Sequence, residues 1–312
     1  MSDKILVVED TKEIRQLLQI FFTSQGYEVH AAATGTEAIE MSRKVLPHIA
    51  ILDINLPDML GYDVGKAMRA NPRTNHIPIV FLTARGEKVD RLIGLGEVEA
   101  EGFYTKPFDM DELHTFVKTT INRSRQRNLT HPITNLPTAE LINDQYRRLL
   151  ASQSWGLALA RINGIEAFTQ TYGAVACEEV LRFFAMLMND TVGTHGAGDE
   201  FIGHLSVGAT FLLTSAPGRI QTVCDHLTTT FDAEIGKHYD FKDLRNGGIT
   251  ARDDVGNDQK LPLMSLSIGV LTDRDGPFYD IRELSEAAEE RRQHAVAHAR
   301  DHSFKSFTAY TN

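Results

Sequence analysis

Short apolar runs that alternate with amphipathic stretches over the first 120 residues restrict the fold of this chain more than any other feature. Lys4–Val8 (KILVV) leads into Glu9-Asp10, and Ile49–Leu52 (IAIL) ends in Asp53. Ile77–Leu82 (IPIVFL) ends in Thr83, and Phe103–Thr105 in Lys106-Pro107, with Tyr27–Ala31 as a further short run. Between the first two runs, Thr11 is placed to cap a helix whose apolar face is Ile14, Leu17, Leu18 and Phe21. Strands that alternate with helices, and that are apolar on both faces, predict a doubly wound parallel sheet.

In such sheets the ligand crevice lies at the carboxyl ends of the strands. Glu9, Asp10, Asp53, Thr83 and Lys106 are therefore expected around one pocket. Three carboxylates held together repel one another and favour a divalent cation, and an oxygen-only ligand set with room for water suits Mg2+. A carboxylate beside that ion can attack a phosphoryl group. The lysine ammonium and the threonine hydroxyl can then pair with the phosphoryl oxygens.

The runs VVED at 7–10, DINLPDMLG at 53–61, LTA at 82–84 and TKPF at 105–108 resemble the receiver domain of two-component response regulators, over about residues 3–121. The resemblance implies a flavodoxin-like fold of five parallel strands for residues 1–122, with a sensor histidine kinase as partner. It implies Asp53 as phosphoacceptor, Asp10 as a direct metal ligand, Glu9 as a ligand through water and Asn55 as a ligand through its backbone carbonyl. It also implies Thr83 and Phe103 as a switch pair and Lys106 as the reader of phosphoryl charge. Phe103 stands where the family often has tyrosine. The stretch 84–95 (ARGEKVDRLIGL) resembles the fourth helix of the DNA-binding branch of the family, where charged side chains pair two receivers. A homodimer through this face is one expectation, and a solvated charged surface the other.

The apolar stripe of the last receiver helix, Met110–Asn122, stops before SRQRN at 124–128, so residues 123–130 read as a short polar linker. With 312 residues the chain has room for a second domain, residues 131–312. The net charge of −10 argues against a DNA-binding surface. Cys177 and Cys224 lie in apolar segments without a CxxC motif and read as buried free thiols. No run is apolar enough to span a bilayer and the N-terminus lacks a signal pattern, so a cytoplasmic protein is expected.

In the second domain, Leu157–Ile162 and Leu261–Leu271 read as strands, and Val175–Met188, Arg219–Ile235 and Ile281–Arg300 as helices. Asp240–Lys260 reads as a long loop and Phe304–Tyr310 as a closing strand. His294 and His298 have zinc-ligand spacing but no evident third ligand. The pattern is mixed α/β with some antiparallel pairs.

ITNLP at 133–137, SIGV at 267–270 and the rhythm of RINGIEAFTQTYG at 161–173 resemble the GGDEF domain of diguanylate cyclases, a nucleotidyl-cyclase-like fold. GAGDEF at 196–201 is one letter from its signature. The resemblance puts the family's metal aspartate on Arg161, a second aspartate on Asn163 and its lysine on Glu166. Its guanine-reading asparagine falls on Thr169, the acid of its GD pair on Glu178 and a phosphate-facing lysine on Arg300. Two registers are open for the signature hairpin, at 198–201 or 207–211. The second fits the spacing better: Glu200–Leu205 and Thr210–Thr214 become the strands, Gly208 supports the turn, and a helix follows at once from Pro217. In the first register Arg161 beside Asp199 would form a neutral pair, worth roughly 4 kcal/mol at 4 Å before desolvation. In either, arginine replaces a metal carboxylate and a two-metal phosphoryl-transfer site is not expected. The expectation is a response regulator with a catalytically inactive output domain that binds an as yet unknown protein, or a nucleotide. The alternative is an active diguanylate cyclase making cyclic di-GMP from GTP.

Overall fold

The computed structural model describes residues 2–84, 98–126, 129–205, 208–252 and 258–306, without the side chains of 126, 251, 252, 258, 259 and 296–306. The chain divides into two compact units, Met1–Thr130 and His131–Asn312.

In the first unit the described elements run β1 (Lys4–Val8), α1 (Lys12–Ser24), β2 (Glu28–Ala32), α2 (Gly35–Val45), β3 (Ile49–Asp53), α3 (Gly61–Ala70), β4 (Ile79–Thr83), β5 (Gly102–Thr105) and α4 (Met110–Gln126). All five strands are parallel, in the order β2-β1-β3-β4-β5. This is the flavodoxin-like doubly wound sheet. The strand period of two divides its core. Leu6, Val8, Ala50, Leu52 and Phe81 pack on one face, and Ile5, Val7, Ile49, Ile51, Val80 and Leu82 on the other. All eleven are fully buried, each of the larger ones contributing roughly 1.5–3 kcal/mol.

Two boundaries differ from the sequence expectation by more than one residue. The fourth strand begins at Ile79 rather than Ile77, because Pro78 has no N–H to give a ladder. The last helix continues to Gln126, so residues 123–126 are helical rather than linker. The apolar stripe ends earlier, but an Arg125–Asp3 ion pair fastens the final turn to the residue that precedes β1.

The second unit contains α5 (Ala139–Ala151), β6 (Gly156–Asn163), α6 (Ile165–His195), β7 (Phe201–His204), β8 (Thr210–Ser215), α7 (Pro217–Glu234), α8 (Phe241–Asn246), β9 (Gly248–Arg252), β10 (Asp258–Pro262), β11 (Ser265–Thr272) and α9 (Ile281–Ser306). An antiparallel four-stranded sheet has the order β11-β6-β8-β7, and β9 and β10 form a separate hairpin. Phe168, Phe184, Phe211 and Phe231 are fully buried. α9 crosses β11 so closely that a Cβ on Gly269 would lie 2.2 Å from the Arg292 backbone nitrogen.

Four expectations are corrected here. The stretch 240–260 is not a long loop: it holds α8, capped by Asp240 Oδ1 accepting from Asp243 N–H, and the β9–β10 hairpin. The single strand expected over 261–271 divides into the end of β10 and the start of β11. Residues 304–306 belong to α9 rather than to a closing strand, and 307–310 lie outside the described residues. α6 also begins ten residues before the expected helix, with a break at Gly173 (φ 86°).

Candidate functional site

β1, β3 and β4 end side by side, so the polar residue that closes each apolar run arrives at one edge of the first sheet. Glu9 is fully buried, Asp53 is 4% exposed and Asp10 is open to solvent. One carboxylate oxygen from each lies within 4.8 Å of the others. Lys106 Nζ stands 2.7 Å from Glu9 Oε2 and 3.0 Å from Asp53 Oδ1. One ammonium thus serves two buried carboxylates, with a third beside them. Burial pushes Asp53 above the usual carboxylate range, although Lys106 and the Ile54 N–H oppose it. Burial likewise raises Glu9, against Lys106 and together with repulsion from Asp53. Burial works against the Lys106 charge, but its two carboxylates outweigh it and raise the ammonium.

Local structure holds this geometry. Arg15 Nη1 donates to the carbonyls of Glu9 (2.6 Å) and Asp10 (2.9 Å), fixing the β1–α1 turn. Thr11 occupies the N-cap position of α1 but makes no side-chain cap bond; its hydroxyl donates to Asp10 Oδ1 at 3.2 Å. Gly61 N–H donates to Ile54 O at 2.7 Å, and a Cβ on Gly61 would lie 2.1 Å from Asp53 O, so only glycine lets the loop close there. Asn55, exposed, bridges to Leu60 across that loop. Thr83 ends β4, is 4% exposed, and its hydroxyl donates to Ala84 O at 3.1 Å. Phe103, on β5, stacks on Phe81 with centroids 5.5 Å apart. The oxygen-only donor set, with excess negative charge and one open carboxylate, fits Mg2+.

The segment 85–97, which holds nearly all of the stretch proposed for dimerisation, lies outside the described residues.

In the second unit a shallow cleft of about 330 Å3 is lined by Arg161, Asn163, Gly164, Glu166, Arg292 and Gln293. Arg161 Nη2 pairs with Glu166 Oε1 at 3.0 Å. Asp199, considered above as its partner, instead meets Arg219 Nη2 at 3.3 Å. Arg292 is 6% exposed; its Nη1 donates to Ser267 Oγ at 3.0 Å, and its Nε and Nη2 pair with Glu289. Ser267 Oγ donates to Asn163 Oδ1 at 3.2 Å. A Cβ on Gly208 would lie 3.8 Å from Arg161 Nη2, which puts that turn beside the cleft. Thr169 and Glu178 do not line it: Thr169 Oγ1 donates back to Ile165 O, and Glu178 pairs with Arg182 along α6. The Arg300 side chain lies outside the described ones. Arg292, Ser267 and Gln293 were not singled out from the sequence. Ser267 in SIGV, two residues from Gly269 and so on the same face of β11, was the available signal.

GAGDEF does not form the turn of a strand pair. The paired strands are β7 and β8, with His204 opposite Phe211, and α7 follows from Pro217. Within the motif Glu200 is fully buried. It accepts from Ala197 N–H (2.8 Å), Gly198 N–H (2.9 Å) and Ser215 Oγ (3.3 Å), with Arg219 Nε 3.7 Å away.

Residues 5–118 match the family of response regulator receiver domains. Response regulator PleD of Caulobacter vibrioides is 41% identical over 109 residues, covering 35% of this chain and 24% of that protein. Regulatory protein VanRc of Enterococcus gallinarum is 37% identical over 140 residues, 45% of this chain and 58% of the relative. The chain spans about half the length of several of the curated relatives it matches, and a quarter of PleD. Among solved structures, the receiver domain of a Francisella response regulator is 27% identical over 39% of this chain and 99% of its own, with a TM-score of 0.37. The receiver domain of a modulated diguanylate cyclase from Desulfovibrio desulfuricans G20 is 25% identical over 41% of this chain and all of its own, also at 0.37. The N-terminal unit is a receiver domain, the regulatory domain of two-component signalling.

Proposed function

We propose that the chain is a response regulator in which Asp53 accepts a phosphoryl group from a sensor histidine kinase and thereby controls a degenerate GGDEF-like output domain. The observation that carries the first half is Lys106 shared between Asp53 and Glu9 inside a three-carboxylate cluster. An Asp53 carboxylate oxygen attacks the phosphorus, the phosphorus–nitrogen bond to the donor imidazole breaks, and its electron pair stays on nitrogen. Lys106 pairs with the phosphoryl oxygens as they approach. Glu9, Asp10, Asp53 and the Asn55 carbonyl would hold Mg2+, which supplies neutralisation of the phosphoryl charge. Thr83 and Phe103 are the proposed responders to that charge.

The output half rests on charge. Arg161, already satisfied by Glu166, falls by the GGDEF resemblance on the position of a metal carboxylate. The change from −1 to +1, balanced by Glu166, leaves a neutral pair that no longer calls for a cation. The output therefore acts by binding a protein, or a nucleotide without a metal. No DNA contact is part of this reading, given the net charge of −10.

The test is in two parts. A small-molecule phosphodonor with Mg2+ should add one phosphoryl mass to the chain and none to Asp53→Asn. GTP turnover, measured with and without beryllofluoride, should give no cyclic di-GMP. Product in either state would mean an active cyclase and overturn the output half alone.

A further inference from the structure

The loop between β3 and α3 carries Asp53 at its start and Asn55 in its first turn, and it is tied to a helix more than twenty residues earlier in the chain. The Asp58 carboxylate lies across the N-terminus of α2. Gly35 N–H donates to Asp58 Oδ1 at 2.8 Å, Thr36 N–H to Oδ2 at 2.9 Å, and the Thr36 hydroxyl to Oδ2 at 2.7 Å. These donors hold the Asp58 carboxyl down at about 2. The first N–H groups of a helix have no partner within it and carry the positive end of its dipole. α2 already has its own cap, because Thr34 Oγ1 accepts from Glu37 N–H (3.2 Å) and Glu37 Oε2 accepts from Ala33 N–H (2.8 Å). Asp58 takes the N–H groups of the first two helical residues, which this local cap does not bond. The contact is packed as well as bonded: a Cβ on Gly35 would lie 2.3 Å from Met59 Cγ. At its other end the loop closes through Gly61 against Asp53 O.

We propose that Asp58 is a positioning residue for the phosphoacceptor site. Through α2 it fixes the loop from Ile54 to Leu60, and so the direction in which the Asn55 carbonyl and the Asp53 carboxylate face the metal. The inference rests on the receiver reading above. Residues that orient metal ligands without touching the metal typically change affinity by about 10–100-fold when removed.

The test is a calorimetric Mg2+ titration of the full chain and of three variants. Asp58→Ala should weaken Mg2+ binding about tenfold. Asp58→Asn, which keeps one acceptor oxygen, should fall between it and the parent chain. Thr34→Ala removes a cap from the same helix without freeing the loop; it should lower thermal stability yet leave Mg2+ affinity within about twofold, below the range for lost ligand orientation. Amide exchange, read without metal, should quicken at Ile54 and Gly61 in Asp58→Ala and not in Thr34→Ala. Unchanged Mg2+ affinity in Asp58→Ala would overturn the inference while leaving the receiver reading standing. An equal loss in Thr34→Ala would also overturn it, by placing the effect in helix stability. A parent chain that binds no Mg2+ would instead overturn the receiver reading, and this inference with it.

Discussion

Two acidic neighbours in GAGDEF show how little a residue's letter says about its work. Asp199 is an exposed partner of Arg219, whereas Glu200 is buried and satisfies two backbone N–H groups and a serine. Exposed pairs are worth about 0–1 kcal/mol. Removing a buried, fully bonded carboxylate strands its donors and costs roughly 3–5 kcal/mol. Urea unfolding of the second unit should therefore show a loss of about 3 kcal/mol or more for Glu200→Ala and under about 1 kcal/mol for Asp199→Ala. Similar losses would mean that Glu200 is not the clasp of this turn. The sequence offered these acids only as a candidate signature, because one of Glu200's donors, Ser215, lies 15 residues away. His204 is a second residue whose environment decides its chemistry. Its ring stacks on His131 (3.9 Å) and Phe211 (4.2 Å), and is bonded to Thr134 Oγ1 and Gly208 O. Burial first, then His131, pushes it down to about 3. The unfolded chain then takes up this proton before the folded one does. The stabilisation is complete above the ordinary histidine value of 6.5 and is lost as pH falls toward 3, at up to about 1.4 kcal/mol per pH unit. Unfolding curves between these limits should show stability falling with pH, and His204→Asn should lessen that slope. An unchanged slope in the variant would assign the acid sensitivity elsewhere.

At the scale of elements, apolar periodicity located β1, β3 and the hairpin of β7 and β8 to within a residue or two. It did so because each is buried on both faces or bounded by turn residues. It failed where stability comes from tertiary partners. α4 outlasts its apolar stripe because of Arg125–Asp3, and α8 is a six-residue helix that rests on its Asp240 cap and a Tyr172–Asp243 bond of 2.6 Å. Residues 304–306 read as strand but are helical, because alternation over a few residues does not distinguish a strand from a helix end. The glycine in SIGV was legible as a strand glycine but not as a crossing point. With its Cβ position 2.2 Å from a backbone atom of α9, Gly269→Ala must lift that helix off β11. Overpacking of this kind costs roughly 1–3 kcal/mol, more when backbone must move. The substitution should destabilise the second unit by at least the upper part of that range, read by chemical denaturation. A neutral result would mean that α9 tolerates displacement.

The two units differ most as electrostatic objects. The first gathers Glu9, Asp10 and Asp53 around one lysine, and it is the only such acidic cluster among the described residues. The second pairs Arg161 with Glu166 and Arg292 with Glu289. The first was legible in the sequence because its residues close successive strands of a regular sheet. The second was legible only in part, since Arg292 reaches the cleft from a helix whose register no local pattern reveals. This difference makes the response to a divalent cation a test at the scale of the whole chain. A ligand that binds only the folded form stabilises it by about 2.7 kcal/mol at one hundred times its dissociation constant. For a unit the size of Met1–Thr130 this amounts to roughly 10 °C in melting temperature. Calorimetric scans of the full chain should therefore show Mg2+ moving one transition upward and leaving the other in place. The Asp53→Asn variant should lose most of the movement, because it removes a charged ligand, while Arg161→Asp should leave the receiver's shift unchanged. Movement of both transitions in the parent chain would mean that the second unit also holds the ion, and that Arg161 does not exclude it.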